Sequence, residues 1–302
     1  MRLQSTEIID TYAEAFAMWA TRVIITAETP TWAMAAARAM TGFATSVIGC
    51  KCEAGIEREL APEETPDRRP GASVLLFSMS AESIGKRLVE RIGQCVLTCP
   101  TTACYNGLDV EETVVCGGLL RYFGDGYQIA KQLNGRRLWR VPVMDGEFVI
   151  DERFGVQPAV GGGNLLLIGP DSTTTLQAAQ AAVAAMRSVS GVIMPFPDGV
   201  VRSGSKPGSK YKTLMASTNE AYCPTLRGCV PGESEVPPAA HCVLEIVIDG
   251  LDQAAVGTAM RVGMEAACEH GLTRISAGNY GGNLGQYKIG LHDLLNGKVN
   301  DA

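Results

Sequence analysis

Only three histidines occur in 302 residues, and His241, His270 and His292 are scattered. Each reads as a surface or internally satisfied residue, so histidine acid–base or metal chemistry has little to rest on. The ten cysteines supply no zinc spacing, because Cys50-Lys51-Cys52 and Cys99…Cys104 are not C-x-x-C pairs. Most sit in apolar runs, as at Cys95 and Cys242, where a thiol behaves as a small hydrophobe. The serine-hydrolase elbow G-x-S-x-G and the Walker spacing G-x-x-x-x-G-K-[ST] are both missing. No apolar stretch approaches the ~18 residues of a membrane span. The first ten residues carry charges and no apolar h-region, so no secretory leader is expected. A cytoplasmic protein with reduced thiols is the expectation. The net charge of −6 offers no basic field for nucleic acid or an anionic membrane, and neither partner is expected.

What the chain does have is a core-forming composition, 46% hydrophobic against 19% charged, and one basic segment that contrasts with the acidic whole. That segment runs Arg202-Ser203-Gly204-Ser205-Lys206-Pro207-Gly208-Ser209-Lys210-Tyr211-Lys212 and continues to Ala216-Ser217-Thr218-Asn219. Gly204, Pro207 and Gly208 oppose a long regular element. Glycines let backbone N–H groups approach a ligand, lysines bring charge, and serines bring short donors. The segment reads as a loop that holds an anion, or else as a solvated lysine loop.

Taken in order, residues 7–20 read as an amphipathic entry segment, with Ile8, Tyr12, Phe16 and Trp19 at helix-like spacing. Residues 23–25 form a strand, 31–40 a helix and 46–49 a second strand, while 53–71 read as a long surface loop. Strand 73–78, helix 81–92 and strand 95–98 follow, and 136–143 is a further strand. The second half repeats the plan. Its strand 165–168 leads to a helix over 174–186 capped by Asp171 or Ser172, then to strand 192–194. Strand 243–248, helix 252–270 and strand 275–277 complete it. Two strand–helix–strand units per half make the βαββαβ arrangement. The fold class is therefore α+β: two ferredoxin-like α/β-sandwich lobes with predominantly antiparallel sheets. The division falls within 145–161, giving an N-terminal lobe over 1–150 and a C-terminal lobe with the anion loop over 151–302. Residues 230–240 are proline-rich and read as a variable insertion.

Glu245 is the acidic residue out of place, since it interrupts the apolar strand Val243-Leu244-Glu245-Ile246-Val247-Ile248. Such strands are commonly buried, and burial raises a carboxyl pKa. A carboxyl kept protonated at neutral pH can act as a general acid or donate to an oxyanion. Alternatively Glu245 faces a wet edge beside Asp249 or pairs with an arginine. Gln94, Thr98, Thr101 and Thr102 gather near a strand end, where they either face a ligand or simply end the strand. Glu57 and Arg58 could pair at a surface, and the run Asn279-Tyr280-Gly281-Gly282-Asn283-Leu284-Gly285 reads as a turn.

Several blocks resemble a known family: residues 10–16, Met40-Thr41-Gly42-Phe43-Ala44-Thr45-Ser46, Glu53-Ala54-Gly55-Ile56-Glu57-Arg58, the stretch 95–102, and Ser203-Gly204-Ser205-Lys206 through Ser217-Thr218-Asn219. Together they resemble formylmethanofuran:tetrahydromethanopterin formyltransferase, nearly end to end. The resemblance implies reversible formyl transfer between the amine of methanofuran and N5 of tetrahydromethanopterin, with the strand glutamate Glu245 at the formyl site as a protonated group. Substrate contacts are expected at Ser205, Lys206, Ser209, Lys210, Lys212, Ser217, Asn219, Gln94, Thr98, Thr101, Thr102 and Glu57. No tightly bound cofactor or metal is expected; methanofuran and tetrahydromethanopterin are carrier substrates. A homo-oligomer, often a tetramer, and association with formylmethanofuran hydrolase subunits are implied too. Two rival readings are a non-catalytic subunit that only binds the methanofuran carrier and a hydrolase in which water replaces the pterin.

Overall fold

The computed structural model describes residues 1–133, 135–229 and 233–298. Residues 230–232 of the expected insertion and 299–302 of the expected C-terminal lobe lie outside the described residues. The chain forms two compact units, one of Met1–Ala17 with Val160–Ala302 and the other of Met18–Ala159. The break at 159/160 falls within the expected 145–161, while the first 17 residues join the unit of the second half rather than that of the first. The first 17 residues pack with the second half, because Thr6–Ile8 pairs in parallel with Arg274–Ser276.

In the Met18–Ala159 unit the strands run Glu53–Leu60, Gly71–Ser78, Tyr12–Thr26 (from Met18 onward) and Ala103–Asn106 across the sheet. These are the second, third, first and fourth strands of a βαββαβ unit, and the three pairings are antiparallel. Gly146–Asp151, Arg136–Val143 and Ile129–Leu133 extend it beyond Ala103–Asn106. The helices Pro30–Thr41 and Ala81–Arg91 start on the side chains of Thr29 and Ser80, which accept the N–H groups of Trp32 and Ser83. Their Ala36, Ala37, Met40, Ile84 and Leu88 pack with Val23, Ile25, Val74 and Leu76 of the sheet.

The other unit repeats this topology. Val192–Ile193, Cys242–Gly250, the strand Gln157–Gly169 (from Val160) and Arg274–Ser276 lie in the same second–third–first–fourth order, all antiparallel. The same capping chemistry also recurs. Asp171 accepts the Thr174 N–H at 2.8 Å and starts helix Ser172–Met186, and Asp252 accepts the Ala255 N–H at 2.7 Å and starts Gln253–Cys268. The two helices approach closely because small residues face each other. A Cβ on Gly263 would lie 2.0 Å from Met186 Cε. Ala178, Ala182, Met186, Val256, Met260 and Met264 seal this layer against Leu165, Leu167, Ile246 and Ile248.

Three expected elements differ. Residues 7–20 are not a helix but belong to the strands Thr6–Ile8 and Tyr12–Thr26. The four-residue spacing of Ile8, Tyr12 and Phe16 fits a helix face and one face of a strand equally, and the intervening Ala13 and Ala15 are fully buried on the other face. Residues 46–49 lead into the short helix Val47–Cys50, and the second strand is Glu53–Leu60, inside the expected loop. Residues 95–98 continue the preceding helix through the wider turn Ile92–Val96, where the Leu97 N–H reaches Ile92 O at 2.8 Å. The fourth strand is Ala103–Asn106 instead.

Candidate active site

Sheet register decides what surrounds Glu245. Leu166 lies directly opposite Glu245 on one side and Ser276 on the other, so the three side chains share one face of the sheet. The alternate residues Ile246 and Ile248 take the helix-covered face. Glu245 thus stands on the face opposite the helices Ser172–Met186 and Gln253–Cys268. Its partner on the free edge is Val201, whose N–H donates to Glu245 O at 2.7 Å and whose carbonyl accepts the Glu245 N–H at 2.9 Å. The basic segment begins at the next residue, so backbone pairing brings Arg202 to Lys206 beside the carboxyl.

That segment is a hairpin. Ser205–Pro207 pairs with Ala216–Thr218, with Lys206 opposite Ser217, and the Asn219 N–H closes its base on Gly204 O at 3.1 Å. At the far end Gly208 has φ +79°, a left-handed conformation that a β-carbon would strain, and donates to Met215 O at 2.8 Å. The Ser217 hydroxyl donates to Gly208 O at 2.8 Å.

The opposite wall is the segment after Arg274–Ser276. Asn164 brackets Gly278, its Oδ1 accepting the Gly278 N–H at 2.5 Å and its Nδ2 donating to Gly278 O at 3.1 Å. The Asn279 amide donates to Thr11 Oγ1 at 2.9 Å, and the Tyr280 N–H donates to Oε2 of the fully buried Glu14 at 2.9 Å. Between the walls lies a pocket of about 380 Å³ with Glu245 and Leu166 at its floor. Arg202, Ser203, Ser205, Lys206 and Asn219 line one side, and Ser276, Asn279 and Tyr280 the other. Asn164→Ala is expected to cost about 2 kcal/mol through two lost hydrogen bonds to a buried side chain. Urea unfolding measures that cost. A raised KM would accompany it as the Tyr280 wall loosens, and an unchanged KM would show that the wall holds without Asn164.

The pocket changes the ionisation of its lining. Burial pushes the Glu245 carboxyl up to about 7. Burial also pushes the Tyr280 hydroxyl up, assisted by the charges of Glu245 and Glu14. Tyr222 is pushed up mainly by burial, and its hydroxyl lies 3.5 Å from Ser276 Oγ. The Lys206 ammonium is paired with the Glu220 carboxylate.

Of the residues singled out from sequence, Glu245, Ser205, Lys206 and Asn219 come together in this pocket. Ser209, Lys210, Lys212 and Ser217 belong to the same hairpin segment but do not line it. Gln94, Thr98, Thr101, Thr102 and Glu57 belong to the other compact unit. There the Thr98 hydroxyl donates to Gln94 O at 2.8 Å, Thr102 donates to Val96 O at 2.6 Å, and the Thr101 N–H donates to Asp145 Oδ2 at 2.6 Å. Thr98 also lines a separate cleft with Leu97, Pro100, Phe123 and Met144. Glu57 is buried and bonded to Arg22 and Ser73 rather than to Arg58. Sequence reasoning missed Ser276, Asn279 and Tyr280 as pocket residues. The only local signal was the polar and glycine-rich run after a short strand.

Fold and site define a two-lobed α+β protein with a carboxyl at the floor of a cation-rimmed pocket. The family model described as formylmethanofuran-tetrahydromethanopterin formyltransferase matches residues 1–143, and the model of its proximal lobe matches 146–294. The chain is 56% identical over 299 residues to the formylmethanofuran–tetrahydromethanopterin formyltransferase of Methylococcus capsulatus, covering 98% of this chain and 100% of the other. Among solved structures it is similar to a chain of the formyltransferase/hydrolase complex from Methylorubrum extorquens, crystallised with methylofuran. That match has a TM-score of 0.94 and 51% identity, covering 98% of each chain. The formyltransferase of Methanosarcina barkeri matches with TM-score 0.92 and 47% identity over 97% of this chain and 100% of the other. The chain belongs to the formylmethanofuran–tetrahydromethanopterin formyltransferase family.

Proposed function

We propose that this chain catalyses reversible formyl transfer between formylmethanofuran and N5 of tetrahydromethanopterin. The observation that carries the chemistry is a half-buried carboxyl, raised to about 7, in a pocket that Arg202 and Lys206 also line. The N5 lone pair attacks the formyl carbon and gives a tetrahedral oxyanion. Protonated Glu245 donates a hydrogen bond to that oxygen. The attacking nitrogen then loses a proton and the leaving amine gains one. The old C–N bond breaks as the carbonyl reforms, and Glu245 ends in the state in which it began. Alignment of the two carriers supplies much of the remaining rate. Lys206, Ser205 and Asn219, with Ser209, Lys210, Lys212 and Ser217 further along the hairpin, receive an anionic group of a carrier. Cytoplasmic location, a homotetramer, and association with formylmethanofuran hydrolase subunits are part of the same proposal.

The test mixes purified protein with both carriers and follows absorbance, beside a control without the pterin. Pterin-dependent formation of formyl-tetrahydromethanopterin is the expected result. Formate released in the control would replace the transferase by a hydrolase, and carrier binding without turnover would leave a binding subunit. Lys206→Ala is expected to raise the KM of one carrier about five- to tenfold at low salt and to soften its salt dependence, as loss of one charge-assisted contact would. Unchanged KM values for both carriers at low salt would remove Lys206 from the site.

A further inference from the structure

One cation of the pocket wall is already engaged. Lys206 lines the pocket, yet its ammonium is paired with the Glu220 carboxylate. Glu220 follows Asn219 directly, in the short turn Glu220–Tyr222 that leaves the second hairpin strand, and it does not itself line the pocket. The hairpin register opposes Lys206 to Ser217, so the pair reaches across the base of the hairpin from one arm to the turn beyond the other. The pair draws the Glu220 carboxyl below the usual range, chiefly through the Lys206 hydrogen bond, and Lys210 adds to it. Both side chains are partly open to solvent, at 40% for Lys206 and 32% for Glu220. Such a pair is weak enough to exchange partners.

We propose that Glu220 tempers the affinity of the site for anionic carriers, as an internal carboxylate that holds Lys206 until a carboxylate or phosphate group of the substrate displaces it. This deepens the reading of Lys206 as the receiver of such a group and rests on it. The physical consequence is a selective penalty. A carrier with an anionic tail regains an ion pair when it displaces Glu220. A carrier without one gains nothing from the exchange and leaves Lys206 and Glu220 together. For the anionic carrier, apparent affinity is reduced by the fraction of time that Lys206 is held.

The experiment measures the KM of both carriers, and of a formylated primary amine lacking an anionic tail, for four proteins: native, Glu220→Gln, Lys206→Ala and the double variant. Glu220→Gln is expected to lower the KM of the tail-bearing carrier about three- to sixfold at low salt. It should leave the KM of the tail-less amine unchanged, and in the Lys206→Ala background its effect should disappear. An equal fall in KM in both backgrounds would overturn the proposal, because Glu220 would then act as a general repulsive charge. A KM that stays level or rises in Glu220→Gln while Lys206→Ala raises it would also overturn it, leaving Lys206 as a receiver without a competitor. Lys206→Ala with no effect on either carrier would instead overturn the underlying reading.

Discussion

Glu245→Gln is expected to reduce kcat by about 10²–10³-fold, the scale on which loss of one oxyanion-stabilising group acts. Glutamine keeps the shape of the side chain and can still offer an N–H. What it loses is the transferable proton and the acidity matched to the medium. KM for both carriers should move little, because the rim of the pocket is untouched. Near-native turnover in this variant would exclude the acid role. The native enzyme adds a pH signature. A carboxyl that titrates near 7 is mostly protonated at pH 6 and mostly ionised at pH 8, so turnover that needs the acid falls as pH rises through about 7. Stability carries the same sign. The folded chain retains a proton that the unfolded chain, with an ordinary value of 4.5, has already released. Stability from this group is therefore fully present below about 4.5, declines as pH rises toward about 7, and levels off above it. Glu245→Gln should remove that slope, which urea titrations at pH 5 and pH 8 can read.

Much of this site was legible because its central residue breaks a local rule. A lone acid in an apolar strand is conspicuous, and a cluster of lysines, serines and glycines in an acidic chain is conspicuous too. The repeated strand–helix–strand order was readable for a similar reason, since Asp171 announces its helix within one turn. Tyr280, Ser276 and Asn279 had no such signal. They reach the pocket through sheet register, with Leu166 between Ser276 and Glu245, and register between distant strands leaves no mark in local composition. The same limit explains the strand Tyr12–Thr26, whose spacing of four is shared by both periodicities. Glu57 is the instructive residue. In sequence it stands beside Arg58 and reads as half of a surface pair. In the fold the register shifts between Ile56 and Arg58, so Glu57 is the extra residue of a β-bulge and turns inward.

Arg22 is what makes that inward turn tolerable, and Arg22→Ala is accordingly expected to destabilise the protein by about 3 kcal/mol. Arg22 meets Glu57 through two hydrogen bonds, Nε to Oε2 at 2.8 Å and Nη2 to Oε1 at 2.7 Å, and the Ser73 hydroxyl adds a third at 2.6 Å. The Glu57 side chain is only 4% exposed, so alanine at position 22 would take two charge-assisted hydrogen bonds from a desolvated carboxylate. The partial exposure of Arg22 keeps the expected cost at the low end for a broken buried pair. Replacing both members by apolar residues of similar size should recover most of the loss, since the desolvation penalty leaves together with the attraction. The measurement is the urea midpoint of the first unfolding transition for Arg22→Ala, Arg22→Met with Glu57→Leu, and Glu57→Gln. A loss below about 1 kcal/mol in Arg22→Ala would mean that water reaches the carboxylate and that the pair behaves as a surface one. Kinetics on Glu57→Gln separate the two roles of this residue. A lowered midpoint with unchanged KM values makes Glu57 a structural group that steadies its bulge. A KM raised tenfold at an unchanged midpoint would instead restore the substrate contact that its neighbourhood in the sequence suggests.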